Sequence, residues 1–405
     1  MKVLHTSDWH LGQKLRGNIR DTEHQFALDW LIETIIQKEI DLLLVAGDIF
    51  DVMNPPNSSR KLYYQFLAKL LKTPCRHIVI IGGNHDAPSM LNAPKELLET
   101  LNIHVIGAAT SFVEDEIIVL KHNNEVEAVI AGVPFLRDQD LRKSVAGEDD
   151  LSIHEKIQKG IYQHYSAIGK YCEQYQDLRI PIIATGHLYA SAAKTSGENQ
   201  DNIYMGGIDN ISADQFSDVF DYVALGHIHT AQPVAKHRHV RYSGSIIPLS
   251  FTEIEDKKSV TILDFKKNKL EIKMLPTPIP RQLISVVGTY EEVLDKLNLF
   301  DIYEGDFRHW LKVEVQVQEY QYGIEDAIHE VCKEKKMTLI ILKISANQKI
   351  NIEYEYDFNL NDLKPIDIFK QKCDNENITS ENAERLQNTF QELLGWMTEQ
   401  EIDIV

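Results

Sequence analysis

Short apolar runs that each end at a polar motif constrain the fold of this 405-residue chain more than any other feature. Residues 3–6, 42–46 and 78–81 are apolar and lead into the motifs DWH, GDIFD and GNHD, with helical periodicity in the intervals between them. This strand–helix alternation with continuous apolar runs predicts a largely parallel, layered α/β domain. Functional sites in open α/β sheets form beyond the carboxyl ends of the strands, where these motifs lie.

Two more motifs follow the same rule further along the chain. Residues 182–185 and 221–225 are strand-like, and they end at the motifs GH and GHIH. The other elements predicted up to residue 276 are hairpins at 116–131 and 260–274 and helices at 22–37, 57–71, 89–101 and 151–175.

The prolines of LPTPIP, residues 275–280, predict a domain boundary because proline disfavours regular structure. The next block has a β-α-β-α-β pattern, with elements at 283–287, 290–297, 311–317, 323–333 and 338–344. We therefore predict four parts, namely a large domain at 1–276, a small α/β domain at 281–345, a linker at 346–364 and a C-terminal helix pair at 365–402.

The second C-terminal helix has one apolar face. Phe390, Leu393 and Met397 recur at helical spacing, and Trp396 lies beside them. An amphipathic face does not say what it packs on, so two interpretations stay open. The face either binds a partner protein or packs on the small domain of its own chain.

Charge and cysteine content limit the function classes. The chain has 42 basic and 61 acidic residues, a net charge of −19, which argues against a protein that holds nucleic acid by itself through a basic face. Its four scattered cysteines have no CxxC spacing and indicate a reducing compartment. No apolar run approaches the ~18 residues of a membrane span, and no signal peptide is evident, so we expect a cytoplasmic protein.

The motifs supply enough oxygen and nitrogen ligands for two metal ions. The candidate ligands are Asp8, His10, Asp48, Asn84, His187, His227 and His229. The lack of thiolates favours manganese, iron or zinc in a reactive site over structural zinc. Paired divalent ions are the arrangement that hydrolyses phosphate esters. Taken singly, each residue has an ordinary alternative, such as a helix cap for Asp48 or a turn for Asn84.

His85 and Asp51 are interpreted differently from the ligands. Adjacent side chains of an extended segment diverge, so His85 is expected to face the substrate while Asn84 binds metal. Asp51 closes the GDIFD motif, and we favour a turn residue over a metal ligand at this position.

Together these motifs resemble those of the calcineurin-like metallophosphoesterases, whose pattern D-x-H, GD-x-x-D, GNH-D/E, H and GH-x-H is matched in full. Within that superfamily, HTSDWHLG, GGNHD and ALGHIH are similar to the nuclease subunits of ATPase-coupled DNA repair complexes. The resemblance implies an α/β fold, with a layered β-sandwich flanked by helices, a small α/β capping domain and a C-terminal helix pair. It rests on motifs up to residue 275 and on layout thereafter.

The resemblance also implies a ligand set and a reaction. One metal ion would be held by Asp8, His10, Asp48 and His229, and the other by Asp48, Asn84, His187 and His227. An activated water would attack phosphorus, while His85 would stabilise the transition state or protonate the leaving oxygen.

The activity that the resemblance implies is that of a manganese-dependent nuclease. It would degrade double-stranded DNA from 3′ to 5′ and cut hairpins and single strands, in DNA repair, recombination and replication. It would act as a homodimer bound to two SMC-like ATPase subunits, with the C-terminal helices on the ATPase coiled coil.

Two other functions stay open at this point. A phosphatase or cyclic-nucleotide phosphodiesterase of the same superfamily would use the same ions, and the added capping domain and helix pair argue against it. A scaffold that only binds a partner is disfavoured because no candidate ligand position is missing.

Overall fold

The computed structural model describes residues 1–141, 150–190, 193, 211–266, 269–317, 323–346, 351–355, 366, 369–370, 372–373 and 386–394. The strands up to residue 276 are β1 Lys2–Thr6, β2 Lys14–Leu15, β3 Asn18–Ile19, β4 Leu42–Ala46, β5 His77–Ile81, β6 Ile103–Ile106, β7 Ile117–His122, β8 Glu125–Ala131, β9 Ile182–His187, β10 Tyr222–Gly226, β11 Gln232–Val234, β12 His237–Tyr242, β13 Ser259–Lys266 and β14 Lys269–Pro276. The α-helices of this part are α1 Asp21–Lys38, α2 Asn57–Leu70, α3 Pro88–Asn92, α4 Lys95–Glu99, α5 Asp138–Leu141 and α6 Asp150–Cys172.

Two six-stranded sheets form the large domain. The first has the order β14-β13-β1-β4-β5-β6, and its strands β1, β4, β5 and β6 are parallel. The second has the order β11-β12-β10-β9-β8-β7, with β12, β10, β9 and β8 parallel. All strands of each parallel set therefore direct their carboxyl ends to the same edge.

The two sheets pack face to face and each carries helices on its outer face. Leu42 and Leu44 of β4 share a buried cluster with Ile183 of β9 in the other sheet. Leu43 and Val45 lie in the cluster on the opposite face, which also contains residues of α1 and α2. Successive side chains of a strand alternate between faces, so an entirely apolar strand is buried on both sides. Helix α6 covers the second sheet. The layered α/β sandwich flanked by helices is thus confirmed.

The helix expected at 89–101 is interrupted. Helix α3 ends at Asn92, and α4 begins at Lys95. Pro94 has no amide hydrogen to donate to the preceding turn, and its backbone angles of φ −90° and ψ 8° leave the helical range, whereas Ala93 before it keeps helical angles. The apolar spacing therefore spans two short helices. Strand β6, which comes after α4, and the pair β11 and β12 were not predicted.

A separate four-stranded sheet, which we call the capping sheet, begins after residue 280. Its elements are β15 Leu283–Thr289, α7 Tyr290–Asn298, β16 Trp310–Val317, α8 Ile324–Glu334, β17 Thr338–Ala346 and β18 Asn351–Glu355. The order is β15-β16-β17-β18, with the first three strands parallel and β18 antiparallel. Both helices contribute to its apolar core, which holds Val293, Leu342 and Ile328.

Strand β18 lies within the segment that polarity predicts to be a linker. Its backbone pairs antiparallel with β17, and its sequence NIEYE alternates polar and apolar residues. The predicted β-α-β-α-β order precedes it.

The described part of the C-terminal helix pair is small. Residues 386–394 are helical, and the ring of Phe390 stacks on Phe369 with centroids 4.3 Å apart. Leu393 is 46% exposed. Trp396 and Met397, which were predicted to share this face, lie outside the described residues.

The large domain meets the capping sheet through a cluster of charges and rings. The guanidinium of Arg281 lies over the ring of Trp310, 4.5 Å from its centroid, and its Nε is 3.2 Å from Oε1 of Glu23. Glu23 also accepts a hydrogen bond from the buried Arg20 at 3.0 Å. The ion pair of Arg281 with Glu23, together with the stacking of Arg281 on Trp310, favours one orientation of the capping sheet on the large domain. Among the described residues, no helix combines the length and apolar composition needed to cross a membrane.

Candidate metal centre

The carboxyl ends of the central strands in both sheets bring the predicted ligands together. Asp8 comes after β1, Asp48 after β4 and Asn84 after β5 in the first sheet. His187 ends β9, and His227 comes directly after β10 in the second. Because these strands are parallel within each sheet, the loops after them converge on one edge of the sandwich.

Glycines permit the close approach of these loops. A side chain at Gly47 would overlap the ring of His187, and one at Gly83 would overlap the carboxylate of Asp48. Gly47 also has φ +86°, a conformation that favours glycine. The glycines of the motifs therefore allow side chains from two sheets to occupy one small volume.

Four of the candidate ligands have left-handed backbone conformations. The φ angles are +52° at Asp8, +47° at His10, +49° at Asp48 and +94° at His227. Such angles cost free energy in residues with a side chain, and they cluster where the surrounding structure holds functional groups in place.

One half of the site consists of Asp8, His10 and His229, whose ligand atoms all lie within 4.8 Å of one another. Asp8 is fully buried, and its Oδ1 accepts the backbone N–H of His227 at 2.9 Å. Its Oδ2 accepts a hydrogen bond from Ser7 Oγ at 2.5 Å. These bonds fix the carboxylate against the strand ends.

Asp48 lies between the two halves. Its Oδ2 is 3.4 Å from Nε2 of His10 and 3.2 Å from Nε2 of His187. In the other half, Oδ1 of Asn84 is 3.0 Å from Nε2 of His187 and 3.2 Å from Nδ1 of His227. The arrangement brings Asp48 into contact with both histidine sets.

The donor and acceptor pattern fits a cation at this place. His187 Nδ1 donates to the carbonyl of Ala46 at 2.9 Å, so Nε2 of the neutral ring carries a lone pair. That lone pair faces the oxygens of Asp48 and Asn84, and acceptors that converge in this way require a positive charge between them. Within the described residues, the buried Nε2 of His10 has no hydrogen-bond partner. Oxygen and imidazole ligands without thiolate suit divalent ions.

The raised pKa values of two buried histidines, His10 and His187, indicate an excess of negative charge at the site. Burial alone would lower the pKa of His10, but a hydrogen bond to Asp51 and the charge of Asp48 raise it to about 9. Burial also opposes the charge of Asp48 at His187, whose pKa is nevertheless raised to about 9. Burial would raise the pKa of Asp48, yet His187 and His85 hold it well below its usual range. A divalent cation bound at this place would take the place of such protons.

Asp86 ties two of the motif loops together. Its carboxylate accepts the backbone N–H groups of Ile49, Phe50 and Gly83 at 3.1, 3.0 and 2.8 Å. Burial and the nearby charge of Asp48 raise its pKa to about 6. The last residue of GNHD therefore holds the GDIFD and GNHD loops in a common register.

His85 makes different contacts from its neighbour Asn84. Its Nδ1 donates to the backbone carbonyl of Asp51 at 2.9 Å, and its ring lies edge-on to His10, with centroids 4.9 Å apart. Burial lowers the pKa of His85. The hydrogen bond leaves Nε2 as the nitrogen available for proton transfer, which suits the role predicted for this residue.

Asp51 contributes more than the predicted turn. Its Oδ1 is 3.3 Å from Nδ1 of His10, and its carbonyl holds His85. A carboxylate on the second ring nitrogen directs the other nitrogen of His10 towards Asp48.

Glu253 and Lys258 were missed by the sequence interpretation. Glu253 Oε1 is 3.0 Å from Nδ1 of His229, and its Oε2 accepts from Lys258 Nζ at 2.6 Å. No spacing rule connects residue 253 to the GHIH motif, so only the folded chain indicates the contact.

Comparison with known proteins defines the class. Residues 1–231 match the family model of calcineurin-like phosphoesterases, and residues 279–377 match a model described as type 5 capsule protein repressor C-terminal domain. The first match covers the strand ends that carry all the candidate ligands, and it confirms the resemblance drawn from the motifs.

Several curated relatives are similar over most of their length, and each is named as a subunit of the nuclease SbcCD. That of Escherichia coli K12 is 33% identical over 393 residues, which cover 96% of this chain and 97% of the relative. The Bacillus subtilis protein is 32% identical over 342 residues, 82% of this chain and 83% of the relative. The Rhodobacter capsulatus protein is 32% identical over 304 residues, which cover 71% of this chain and 73% of the relative. The chain belongs to the SbcD family of calcineurin-like phosphoesterases.

Proposed function

We propose that this chain is the nuclease subunit of an SbcCD-type complex and hydrolyses phosphodiester bonds in DNA. The chain is a hydrolase of the phosphoesterase class and acts as a metal-dependent nuclease. One observation carries the proposal. Oxygen and nitrogen acceptors from the strand ends of both sheets converge at the edge of a sandwich whose relatives, over nearly full length, are called nucleases.

The proposed ligands fall into two sets that share Asp48. The first is Asp8, His10, Asp48 and His229, and the second is Asp48, Asn84, His187 and His227. The contacts of Asp48 with both His10 and His187 support a bridging role. We propose Mn²⁺ as the ion, since the ligands are oxygen and imidazole. When bound, two such ions polarise the phosphate and lower the pKa of water.

His85 is the proposed proton donor. Its Nδ1 is committed to the carbonyl of Asp51, so a proton can be gained or lost only at Nε2. The pKa lowered by burial keeps the ring neutral, and the negative charge of an approaching phosphate favours the imidazolium. The charged ring can then stabilise the transition state or protonate the leaving oxygen.

The finer activity is proposed from the likeness to these relatives. We propose 3′ to 5′ degradation of double-stranded DNA and cutting of hairpins and single strands, in cytoplasmic repair, recombination and replication. A net charge of −19 disfavours DNA binding by the chain alone, so bound metal ions or a partner would offset part of the repulsion. An SbcC-type ATPase, in a complex of two nuclease and two ATPase chains around a nuclease dimer, is the proposed partner.

The domain division also stands as a proposal. Residues 1–276 would form the nuclease domain, 281–345 the capping domain and 346–364 the connection, of which 351–355 pair with β17. Residues 365–402 would dock on the ATPase, with the exposed Leu393 in the contact.

Substrate choice tests the proposal. The full chain is incubated with Mn²⁺ and either hairpin DNA or bis-p-nitrophenyl phosphate, a small phosphodiester. We expect cleavage of the DNA and its loss on chelation of the metal. Turnover of the small ester alone would favour a phosphatase or cyclic-nucleotide phosphodiesterase, and turnover of neither would favour a scaffold.

A pulldown with the ATPase tests the docking surface. Leu393→Asp in the full chain should reduce recovery of the SbcC-type subunit because a charge enters an apolar contact. Leu299→Asp is the matched control, since Leu299 is 84% exposed and lies in the capping domain. Equal recovery with both variants contradicts this docking surface.

A further inference from the structure

The segment that follows β12 carries a buried carboxylate, that of Glu253, which contacts the proposed metal ligand His229. Glu253 is 2% exposed and ends a short 3-10 turn, Phe251–Glu253. Its Oε1 is 3.0 Å from Nδ1 of His229. Lys258, which is 4% exposed, donates to Oε2 of Glu253 at 2.6 Å and to the carbonyl of His229 at 3.0 Å.

All the polar partners of this carboxylate are donors. Besides Lys258, the backbone N–H of Leu249 donates to Oε2 at 3.0 Å. Oε1 must therefore accept from Nδ1–H of His229, which selects the tautomer whose Nε2 carries a lone pair. A histidine that binds a metal through Nε2 needs that tautomer, and the hydrogen bond at its other ring nitrogen fixes the ring orientation.

The same turn contacts the capping sheet. Phe251 and Ile254 flank Glu253, and both pack against a buried cluster that contains Trp310, Leu283 and Ile341 of the capping sheet. The apolar neighbours of Glu253 thus face one domain while its carboxylate faces the metal centre.

We propose that Glu253 is a positioning residue for His229 and that the Phe251–Glu253 turn links the seating of the capping sheet to the metal centre. The inference rests on the proposed ligand sets, in which His229 serves one ion and not the other. A disturbance of the turn therefore weakens one metal-binding event selectively.

Glu253→Gln tests the first part. Lys258 and Leu249 hold the amide oxygen at the position of Oε2, so the amide N–H group faces His229 and favours the wrong tautomer. In a calorimetric titration of the metal-free full chain with Mn²⁺, we expect one of two binding events to weaken about 10–100-fold and the other to stay unchanged. Glu116→Gln is the control, because Glu116 is equally buried and contacts His164 at 2.8 Å outside the centre.

The outcomes separate this inference from the proposed function. A wild-type chain that binds no Mn²⁺ contradicts the ligand sets themselves. Two wild-type events that Glu253→Gln leaves unchanged, or weakens equally, overturn the positioning role.

Phe251→Ala tests the link to the capping sheet and leaves Glu253 intact. We expect faster amide hydrogen exchange over residues 245–258 and a weakening of the same binding event, smaller than for Glu253→Gln. Phe112→Ala, at a position 68% exposed, should change neither measurement. Faster exchange with unchanged Mn²⁺ affinity would overturn the link.

Discussion

The strands of the sandwich and those of the capping sheet differ in the residues at their carboxyl ends. In the sandwich, β1 and β4 continue into Asp8 and Asp48, which are buried, charged and left-handed in φ. In the described part of the capping sheet, left-handed φ occurs at Gly323 and Lys336, which lie at the two ends of α8. Strained backbone at a helix end serves capping, whereas strain at a buried charged strand end indicates chemistry.

The largest expected effect comes from Asp48, the residue shared by the two proposed ligand sets. Asp48→Asn should lower nuclease activity by about 10⁴-fold, because both ions lose an anionic ligand that is worth several kcal/mol to the transition state. Steady-state cleavage of labelled DNA measures it. Asp295→Asn, an exposed position on α7 beside the capping sheet, should retain activity. Similar losses in both variants would remove the contrast between the two regions.

His85 sharpens the comparison within the sandwich. His85→Gln should lower activity by about 10³-fold through loss of proton transfer, while both Mn²⁺-binding events persist, since His85 belongs to neither of the two proposed ligand sets. Activity and calorimetry on the same preparation measure the two effects. His329→Gln on α8, which packs on the capping sheet, provides the matched substitution. Loss of an ion from the His85 variant would assign that residue to the ligands.

The core of the capping sheet should affect stability and not chemistry. Leu342 is fully buried there, and Leu342→Ala should lower the free energy of unfolding by about 3 kcal/mol through lost burial and a cavity. Urea denaturation followed by circular dichroism measures the change, and Leu299→Ala is an exposed control. Catalytic turnover well below the melting temperature should stay within about twofold of the wild type, in keeping with a site built elsewhere.

The smallest expected effect concerns the start of α7. Thr289 Oγ1 accepts the N–H of Glu292, while the Glu292 carboxylate accepts the N–H of Thr289. Thr289→Ala should cost about 1 kcal/mol of stability because a helix N–H loses its partner. Thr289→Ser keeps the hydroxyl and should restore most of that stability in the same denaturation assay. An unaffected Thr289→Ala variant would indicate that solvent replaces the cap.

Local sequence patterns predicted those elements of the sandwich whose structure depends on their own apolar spacing. The apolar run of β4 and the helical spacing of α1 depend on burial alone, and both elements agree with the expectation. The predicted helix at 89–101 failed because a single Pro94 outweighs the apolar spacing around it. Strand β18 was hidden because an edge strand needs few apolar residues.

The sequence indicated which candidate residues the structure brings together, but not the network of contacts between them and their neighbours. Aspartate and histidine in glycine-flanked motifs after strands indicate metal chemistry from sequence alone, and their convergence follows from parallel topology. The contact of Glu253 with His229 has no such pattern, since it depends on how the segment after β12 folds back. The same holds for Asp51, whose carboxylate and carbonyl hold two different histidines.

The pairing of β1 with β13 has a consequence for folding during synthesis on the ribosome. Val3 lies opposite Leu263, and the backbone N–H of His227 must reach Asp8. A ribosome that adds about 5–20 residues per second therefore needs roughly 10–50 s after the first motif before the last one emerges. During that interval the nascent chain carries only part of the proposed ligand sets. The candidate ligands can therefore assemble into one site only after most of the chain has been translated.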